Sequence, residues 1–275
     1  MIRKAIIPAA GYGIRNLPAT KVIPKELFPI GNKPAIDYVV AEAVQAGITD
    51  ILIVLSRNKT EVMNYFDRSP ELEAYLTERQ KENLLPLIAP TKLNIQYVSQ
   101  HEPLGLGHAI LLGQSFAAGE PFAIMLPDQI SLSRTSILTP LIKCFGQYRA
   151  NVIGLQTVKQ ELLSNYGVVS ASRLKARTYD IDSIVEKPLH PPSQLAVIGR
   201  YIVKPNIFDK LQQTRPGVNG EIQLTDALNE ACLSNRMIGY AYNERWYDTS
   251  IEEQYIKLQQ RALQLKSTKI TTEAE

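Results

Sequence analysis

Cysteine is nearly absent from this chain. Cys144 and Cys232 lie far apart and outside any CxxC pattern, which argues against a disulfide framework and against a zinc site. Two lone thiols suit a reducing cytosol, so a cytoplasmic location is expected. No apolar run approaches the roughly 18 residues of a membrane span. Pro8 and Gly11 interrupt the only apolar stretch near the start, so neither a membrane anchor nor an export signal is expected. Nor does one sign of charge prevail: 30 basic and 27 acidic residues leave a net charge of +3, too little to make the whole molecule a nucleic-acid or membrane-surface binder. Internal repeats and low-complexity linkers are also missing. One further absence is local. The first acid in the chain is Glu26, by which point Arg3, Lys4, Arg15, Lys21 and Lys25 have already appeared.

What is present is an ordinary globular balance, 45% hydrophobic and 21% charged over 275 residues, enough for a sizeable core. Strand-like runs at Ala5–Ile7, Ile51–Leu55, Leu93–Val98, Phe122–Leu126 and Val152–Thr157 alternate with helix-like segments at Ala35–Ala46, Thr60–Phe66, Leu106–Phe116 and Ile137–Tyr148. The polar stretch Glu71–Asn83 reads as a surface helix. This alternation predicts an α/β fold with a mostly parallel, Rossmann-like sheet flanked by helices. The rhythm then changes. Gly167–Ala171, Ile181–Val185 and Ala196–Val203 read as strands without helices between them, a smaller antiparallel elaboration, and helices return at Ile222–Cys232 and Ile251–Leu265. One domain over residues 1–266 is expected, with residues 267–275 a flexible tail.

The acid-free opening loop follows the first strand, at the edge where α/β sheets bind ligands. It reads AAGYGIRNLPATKVIPK over residues 9–25. It is not a P-loop, because no GK[ST] follows the required spacing, and it is not a dinucleotide fingerprint, because Asn16 stands where the third glycine belongs. Gly11 and Gly13 let backbone N–H groups approach an anion, and Arg15, Lys21 and Lys25 offset its charge. A merely solvated basic loop is the competing reading. Other strings leave similar alternatives. QHEPLGLGHA, residues 100–109, is a Gly-x-Gly turn entering a helix. Asp128 in IMLPDQI and Asp248 in RWYDTS follow strand-like runs, where an Asp is more often a turn or helix cap than a metal ligand. Glu186 and Lys187 in IVEKP point to opposite faces if the backbone is extended, unless a local irregularity brings both into one site.

The loop and its continuation, AAGYGIRNLPATKVIPKELFPIGNKPAIDYVV, resemble the G-x-G-T-R and P-K-x-x-x-P signature of sugar-1-phosphate nucleotidylyltransferases. The wording is most similar to the bacterial UTP:glucose-1-phosphate uridylyltransferases, in order over roughly residues 3 to 258. The resemblance implies uridylyl transfer from UTP to glucose 1-phosphate, with direct attack of a sugar-phosphate oxygen on the α-phosphorus and no protein nucleophile. It places nucleotide binding mainly in residues 1–160 and sugar binding mainly in 161–250. It assigns Ala10, Gly11, Gly13, Gln100 and Gly105 to the nucleotide, with Gln100 reading the uracil edge and Gly105 and Gly107 letting the backbone lie against the base. It assigns Arg15 and Lys25 to the triphosphate, Lys187 to the sugar phosphate, Gly167, Glu186 and Glu221 to the sugar, and Asp128 with Asp248 to one Mg²⁺. His108 is read as a packing or supporting residue and Asp226 as support for a helix. Dimers or tetramers of one chain are implied, without nucleic-acid or membrane partners. Ile14 replaces the usual Thr, and Ser250 stands where Gly usually follows Asp-x. These departures keep open a regulatory paralogue that binds an active enzyme, and Gln100 suits thymine as well as uracil, so a thymidylyltransferase is a further alternative.

Overall fold

The computed structural model describes residues 1–133, 135–217 and 220–272, with side chains through Lys266. Its strands are β1 (Lys4–Ala9), β2 (Pro29–Ile30), β3 (Lys33–Pro34), β4 (Asp50–Leu55), β5 (Asn94–Ser99), β6 (Phe122–Met125), β7 (Gln129–Ser131), β8 (Asn151–Thr157), β9 (Gly167–Arg173), β10 (Thr178–Glu186), β11 (Leu195–Val203), β12 (Met237–Ala241) and β13 (Trp246–Asp248). Its helices are α1 (Ala35–Gln45), α2 (Thr60–Phe66), α3 (Pro70–Glu78), α4 (Leu85–Ile88), α5 (Leu106–Leu111), α6 (Gln114–Ala117), α7 (Leu138–Tyr148), α8 (Ile207–Gln213), α9 (Leu224–Ser234) and α10 (Glu252–Thr272).

Successive side chains of a strand point to opposite faces, and β1 shows the result. Ala5, Ile7 and Ala9 pack with α1, α2, α7 and α10 on one face, while Ile6 packs with α5, α8 and α9 on the other. Both faces are therefore apolar, as a strand covered on two sides requires. Nine strands form one sheet in the order β5-β4-β1-β6-β11-β8-β12-β10-β9. β5, β4, β1 and β6 run parallel, so their carboxyl ends, and the loops that follow them, lie along one edge. The antiparallel elaboration continues this sheet: β11 is antiparallel to both β6 and β8, and β10 pairs antiparallel with β9 and β12.

The helix expected over Leu106–Phe116 is broken into α5 and α6. At the break, Gly113 lies against Ile6, and a Cβ there would collide with that side chain, so the chain trades helical continuity for close packing on β1. α8 and β12 were not anticipated, and β13 was anticipated only as a strand-like run before Asp248. β13 matters most. It pairs antiparallel with β7, with Asp248 opposite Gln129, and so brings the chain's carboxyl-terminal part beside the loop after β6. The last helix does not stop at Leu265 but continues to Thr272 across most of the expected tail, and residues 273–275 lie outside the described residues.

Candidate active site

The loop after β1 folds into three short 3-10 turns, Ile14–Asn16, Ala19–Lys21 and Lys25–Leu27. Gly13 begins the first at φ 68°, the left-handed region that favours glycine. Its carbonyl is held by Asn16 N at 2.9 Å and Thr20 Oγ1 at 2.8 Å. A Cβ at Gly11 would meet nothing within 4 Å, so open space lies beside it. The backbone N–H groups of Gly11, Tyr12, Gly13, Ile14 and Arg15 donate to no acceptor among the described residues. Five consecutive N–H groups at a strand's carboxyl end are thus left without an acceptor among the described residues, as an anion-binding loop would require. Behind the loop, the buried Lys59 donates to the carbonyls of Ala9 and Gly11 and to Glu26.

Lys25 is not a solvated cation of this loop: its Nζ lies 2.6 Å from Asp128 Oδ2. Asp128 in turn lies beside Asp248, because Thr249 N and Oγ1 donate to the Asp128 carbonyl at 2.8 and 3.1 Å. Ser250 donates to Asp248 Oδ1 through its N at 2.9 Å and its Oγ at 2.5 Å, and Arg15 Nη1 donates to the same Oγ at 3.2 Å. Arg15, Lys25, Asp128 and Asp248 thus form one cluster. Burial, and then the negative charge of Asp128, push the Asp248 carboxyl above its ordinary value despite the Ser250 bonds. Burial would do the same to Asp128, but Lys25, a backbone hydrogen bond and Arg15 together hold that carboxyl below the ordinary value. Burial would lower the Lys25 ammonium, but Asp128, Glu26 and Asp248 together raise it. Two adjacent carboxylates under mutual repulsion have the chemistry that a hard-oxygen cation site would need. Among the described residues no group of three or more His, Cys, Asp or Glu is placed to hold a metal. Two carboxylates leave coordination positions for phosphate and water, the arrangement that Mg²⁺ favours.

Sequence reading missed the support under Asp128. Arg200 of β11, 1% exposed, forms a bidentate pair with Glu42 of α1 at 2.8 to 3.2 Å. The same guanidinium donates to the carbonyls of Leu126 and Gln129 at 3.0 Å each, bracketing Asp128 from both sides. An arginine inside the apolar run LAVIGRYIV was the available signal. For Lys59 there was none.

Gln100, expected to meet the base, is buried, and its Nε2 donates to Gly105 O at 3.1 Å and lies 2.9 Å from His108 Nδ1. Both amide protons are thereby engaged, which leaves Oε1 as the accepting atom. The contact with Gln100 is the one that a supporting role for His108 would use. The structure gives glycine at 105 and 107 a packing reason of its own. A Cβ at Gly105 would come within 2.8 Å of Ile222 O, and one at Gly107 within 2.8 Å of the same atom, so what approaches closely is the chain's own 221–222 segment.

Among the residues expected at the sugar, the opposition of Glu186 and Lys187 is resolved by the backbone. Lys187 has φ 44°, a strained value for a side-chain-bearing residue, and its Nζ returns to within 3.2 Å of Glu186 Oε1. Glu186 Oε2 accepts from Thr225 Oγ1 at 2.7 Å. Gly167 lies opposite Glu186 in the β9–β10 pairing, and a Cβ there would sit 3.4 Å from Glu186 Oε2. Glu221 Oε2 accepts from Gln223 Nε2 at 3.3 Å, while Val218 and Asn219 of the expected sugar loop lie outside the described residues. Asp226 at the start of α9 is raised above the ordinary carboxyl value by burial and by Glu186. On β11, burial, then the charges of Glu186 and Asp128, raise the Tyr201 phenol.

A family model described as nucleotidyl transferase matches residues 4–264. A UTP–glucose-1-phosphate uridylyltransferase of Pseudomonas aeruginosa is 41% identical over 263 residues, 94% of each chain. A crystal structure of a UDP-glucose pyrophosphorylase complexed with UDP-glucose superimposes with a TM-score of 0.86 at 41% identity, covering 96% of this chain and 99% of that one. A UTP-bound UGPase from Acinetobacter baumannii gives 0.88 at 34% identity, covering 98% and 99%.

Proposed function

The chain belongs to the nucleotidyl transferase family, and we propose that it transfers the uridylyl group of UTP to glucose 1-phosphate, forming UDP-glucose and pyrophosphate. The observation that carries the reading is the nest of free N–H groups from Gly11 to Arg15, joined to the Asp128–Asp248 pair through Arg15, Ser250 and Lys25. A triphosphate needs donors along its oxygens and a cation between its phosphates, and this cluster offers both. The curated relative is named for this reaction, and the structural neighbours are named for its product and for UTP.

In this mechanism the nest, Arg15 and Lys25 bind the triphosphate, and Lys187, placed by its positive φ beside Glu186, receives the phosphate of glucose 1-phosphate. Gln100 Oε1 accepts the uracil N3–H. Glu186, Glu221 and the backbone at Gly167 bind the sugar. Asp128 and Asp248 would hold Mg²⁺, whose charge, when bound, offsets that developing on the phosphates. No side chain forms a covalent intermediate. The residues hold two anions in line and stabilise the charge of the transition state. Assembly into dimers or tetramers and a cytoplasmic location belong to the same proposal; light scattering of the purified protein measures the former.

Pyrophosphate release, measured with each nucleoside triphosphate and each sugar 1-phosphate, with and without Mg²⁺, tests the reading. UTP with glucose 1-phosphate is expected to give the highest rate, and only with the metal. A higher rate with dTTP makes the protein a thymidylyltransferase. UTP binding without any release supports the non-catalytic paralogue, against which stands the retention of Lys187 and of Arg15, Lys25, Asp128 and Asp248, the last four in one cluster.

The two lysines should separate the two substrates. Lys25→Ala is expected to weaken UTP binding and Lys187→Ala glucose 1-phosphate binding, each by about 10- to 100-fold for the loss of one charge-assisted contact. Equilibrium binding is the proper measure, because apparent Michaelis constants mix binding with later steps. Equal loss of both substrates in both variants would refute the assignment.

The structure also gives the departures at Ile14 and Ser250 a shared consequence. Ile14 is 74% exposed and offers no hydroxyl, whereas Ser250 Oγ joins Arg15 to Asp248. Ser250→Gly is therefore expected to lower turnover by about three- to tenfold through a less ordered Arg15, and Ile14→Thr to restore part of that loss. A Ser250→Gly enzyme as fast as the parent would show that the contact with Arg15 is incidental.

A further inference from the structure

Lys59 contradicts its surroundings in two ways. It caps the amino terminus of α2, where Ser, Thr, Asp and Asn are preferred and a positive charge opposes the helix dipole. It is also buried, at 4% exposure, and burial, opposed by Glu26, lowers its ammonium below the ordinary lysine value. A residue that unfavourable is accounted for by its three partners. An ammonium has three donors, and here they meet the Ala9 carbonyl at 2.7 Å, the Gly11 carbonyl at 2.6 Å and Glu26 Oε2 at 2.8 Å. The two carbonyls flank Ala10, where β1 passes into the loop of free N–H groups. Glu26 follows Lys25, the residue bonded to Asp128.

We propose that Lys59 is a positioning residue for the phosphate-binding loop: by holding the carbonyls of Ala9 and Gly11 behind the loop, it leaves the following N–H groups free to receive a triphosphate. The inference rests on the uridylyltransferase reading for the identity of the anion. The physical reason is the two-sidedness of a peptide. If the unit after Gly11 turned over, its carbonyl would take the place of an N–H before the phosphates, and attraction would become repulsion. The loop has little else to prevent this. Gly11 has open space beside it, and glycine restrains neither dihedral. Lys59 is thus the residue that decides which side of these peptides meets the ligand.

A purely structural ion pair and a loop-positioning cation differ in what Glu26 contributes. In Glu26→Gln the ammonium keeps both carbonyls, so UTP affinity is expected to stay within about threefold of the parent. In Lys59→Met/Glu26→Gln no charge is left buried, which protects the fold, but the carbonyls are released. This variant is expected to bind UTP and inorganic triphosphate at least about tenfold more weakly, as for the loss of one or more N–H to phosphate bonds, with glucose 1-phosphate affinity held within about twofold. Lys59→Arg, whose planar fork cannot match three tetrahedral acceptors, is expected to show the same order of effects and serves if the double variant does not fold. Calorimetric binding of UTP, inorganic triphosphate and glucose 1-phosphate decides. If a folded Lys59→Met/Glu26→Gln binds triphosphate like the parent, or loses glucose 1-phosphate equally, the positioning role is overturned. If the parent itself binds neither UTP nor triphosphate, the function reading fails first.

Discussion

Asp128→Asn is expected to keep the fold and to remove at least about a hundredfold of Mg²⁺-dependent pyrophosphate release, because a bound metal's stabilisation of developing charge is worth several kcal/mol. The fold survives because the backbone of residue 128 does not rely on its side chain: Thr249 holds its carbonyl, and Arg200 holds those of Leu126 and Gln129. The chemistry suffers twice. One of the two carboxylates proposed for the metal becomes a neutral amide, and Lys25 loses the partner 2.6 Å away. A second readout is independent of turnover. Asp248 is raised by burial and by the Asp128 charge, so in the variant the second cause disappears and its pKa should fall toward the ordinary carboxyl value, visible in a carboxyl-observed NMR titration. Mn²⁺ affinity should fall in the same protein. Near-parental Mg²⁺-dependent turnover would remove Asp128 from the metal site.

Arg200→Met is expected to destabilise the protein by about 3 to 5 kcal/mol, the usual effect of stranding one partner of a buried ion pair. For a chain of this size that lowers the melting temperature by on the order of 10 °C. The stranded partner is Glu42, 9% exposed on α1, whose carboxylate accepts, among the described residues, from the guanidinium alone. Arg200→Met/Glu42→Leu should recover most of the stability, since neither charge is then buried alone. It should not recover Mn²⁺ affinity or turnover, because the carbonyls on either side of Asp128 still lack their donor. Thermal unfolding and Mn²⁺ titration of the single and double variants distinguish the two effects. Recovery of both in the double variant would mean that Arg200 serves the core alone.

These two residues also separate what was legible in the chain from what was not. Asp128 could be found because it directly follows a short apolar strand, and position at a strand's carboxyl end is a local property. The loop of unpaired N–H groups was visible for the same reason: two glycines and no acid after β1 lie in one short window. The strands β1, β4, β5 and β6 and their flanking helices follow from patterns that repeat within a few residues. Arg200 was not found, although its place in an apolar run was a signal, because its partners Glu42, Leu126 and Gln129 are distant along the chain. Lys59 was missed for the same reason. Its meaning lies in carbonyls 48 and 50 positions away.

By itself, then, the sequence determined the alternation of strands and helices, the anion-seeking loop and the charged residues available for a site, because periodicity, turn chemistry and charge act over a few neighbours. The tertiary structure alone decided that Asp248 stands beside Asp128, through the pairing of β13 with β7. It decided that Lys25 faces a carboxylate and that a positive φ returns Lys187 to Glu186. It also decided that Gly105, Gly107 and Gly113 are small for the chain's own packing. Such relations are set by which distant backbones meet, and no short stretch of residues contains that information. The physical reason is that through-space contacts are formed by closing long loops against a shared core, where burial and hydrogen-bond satisfaction of the whole, not the preference of any one segment, select the arrangement.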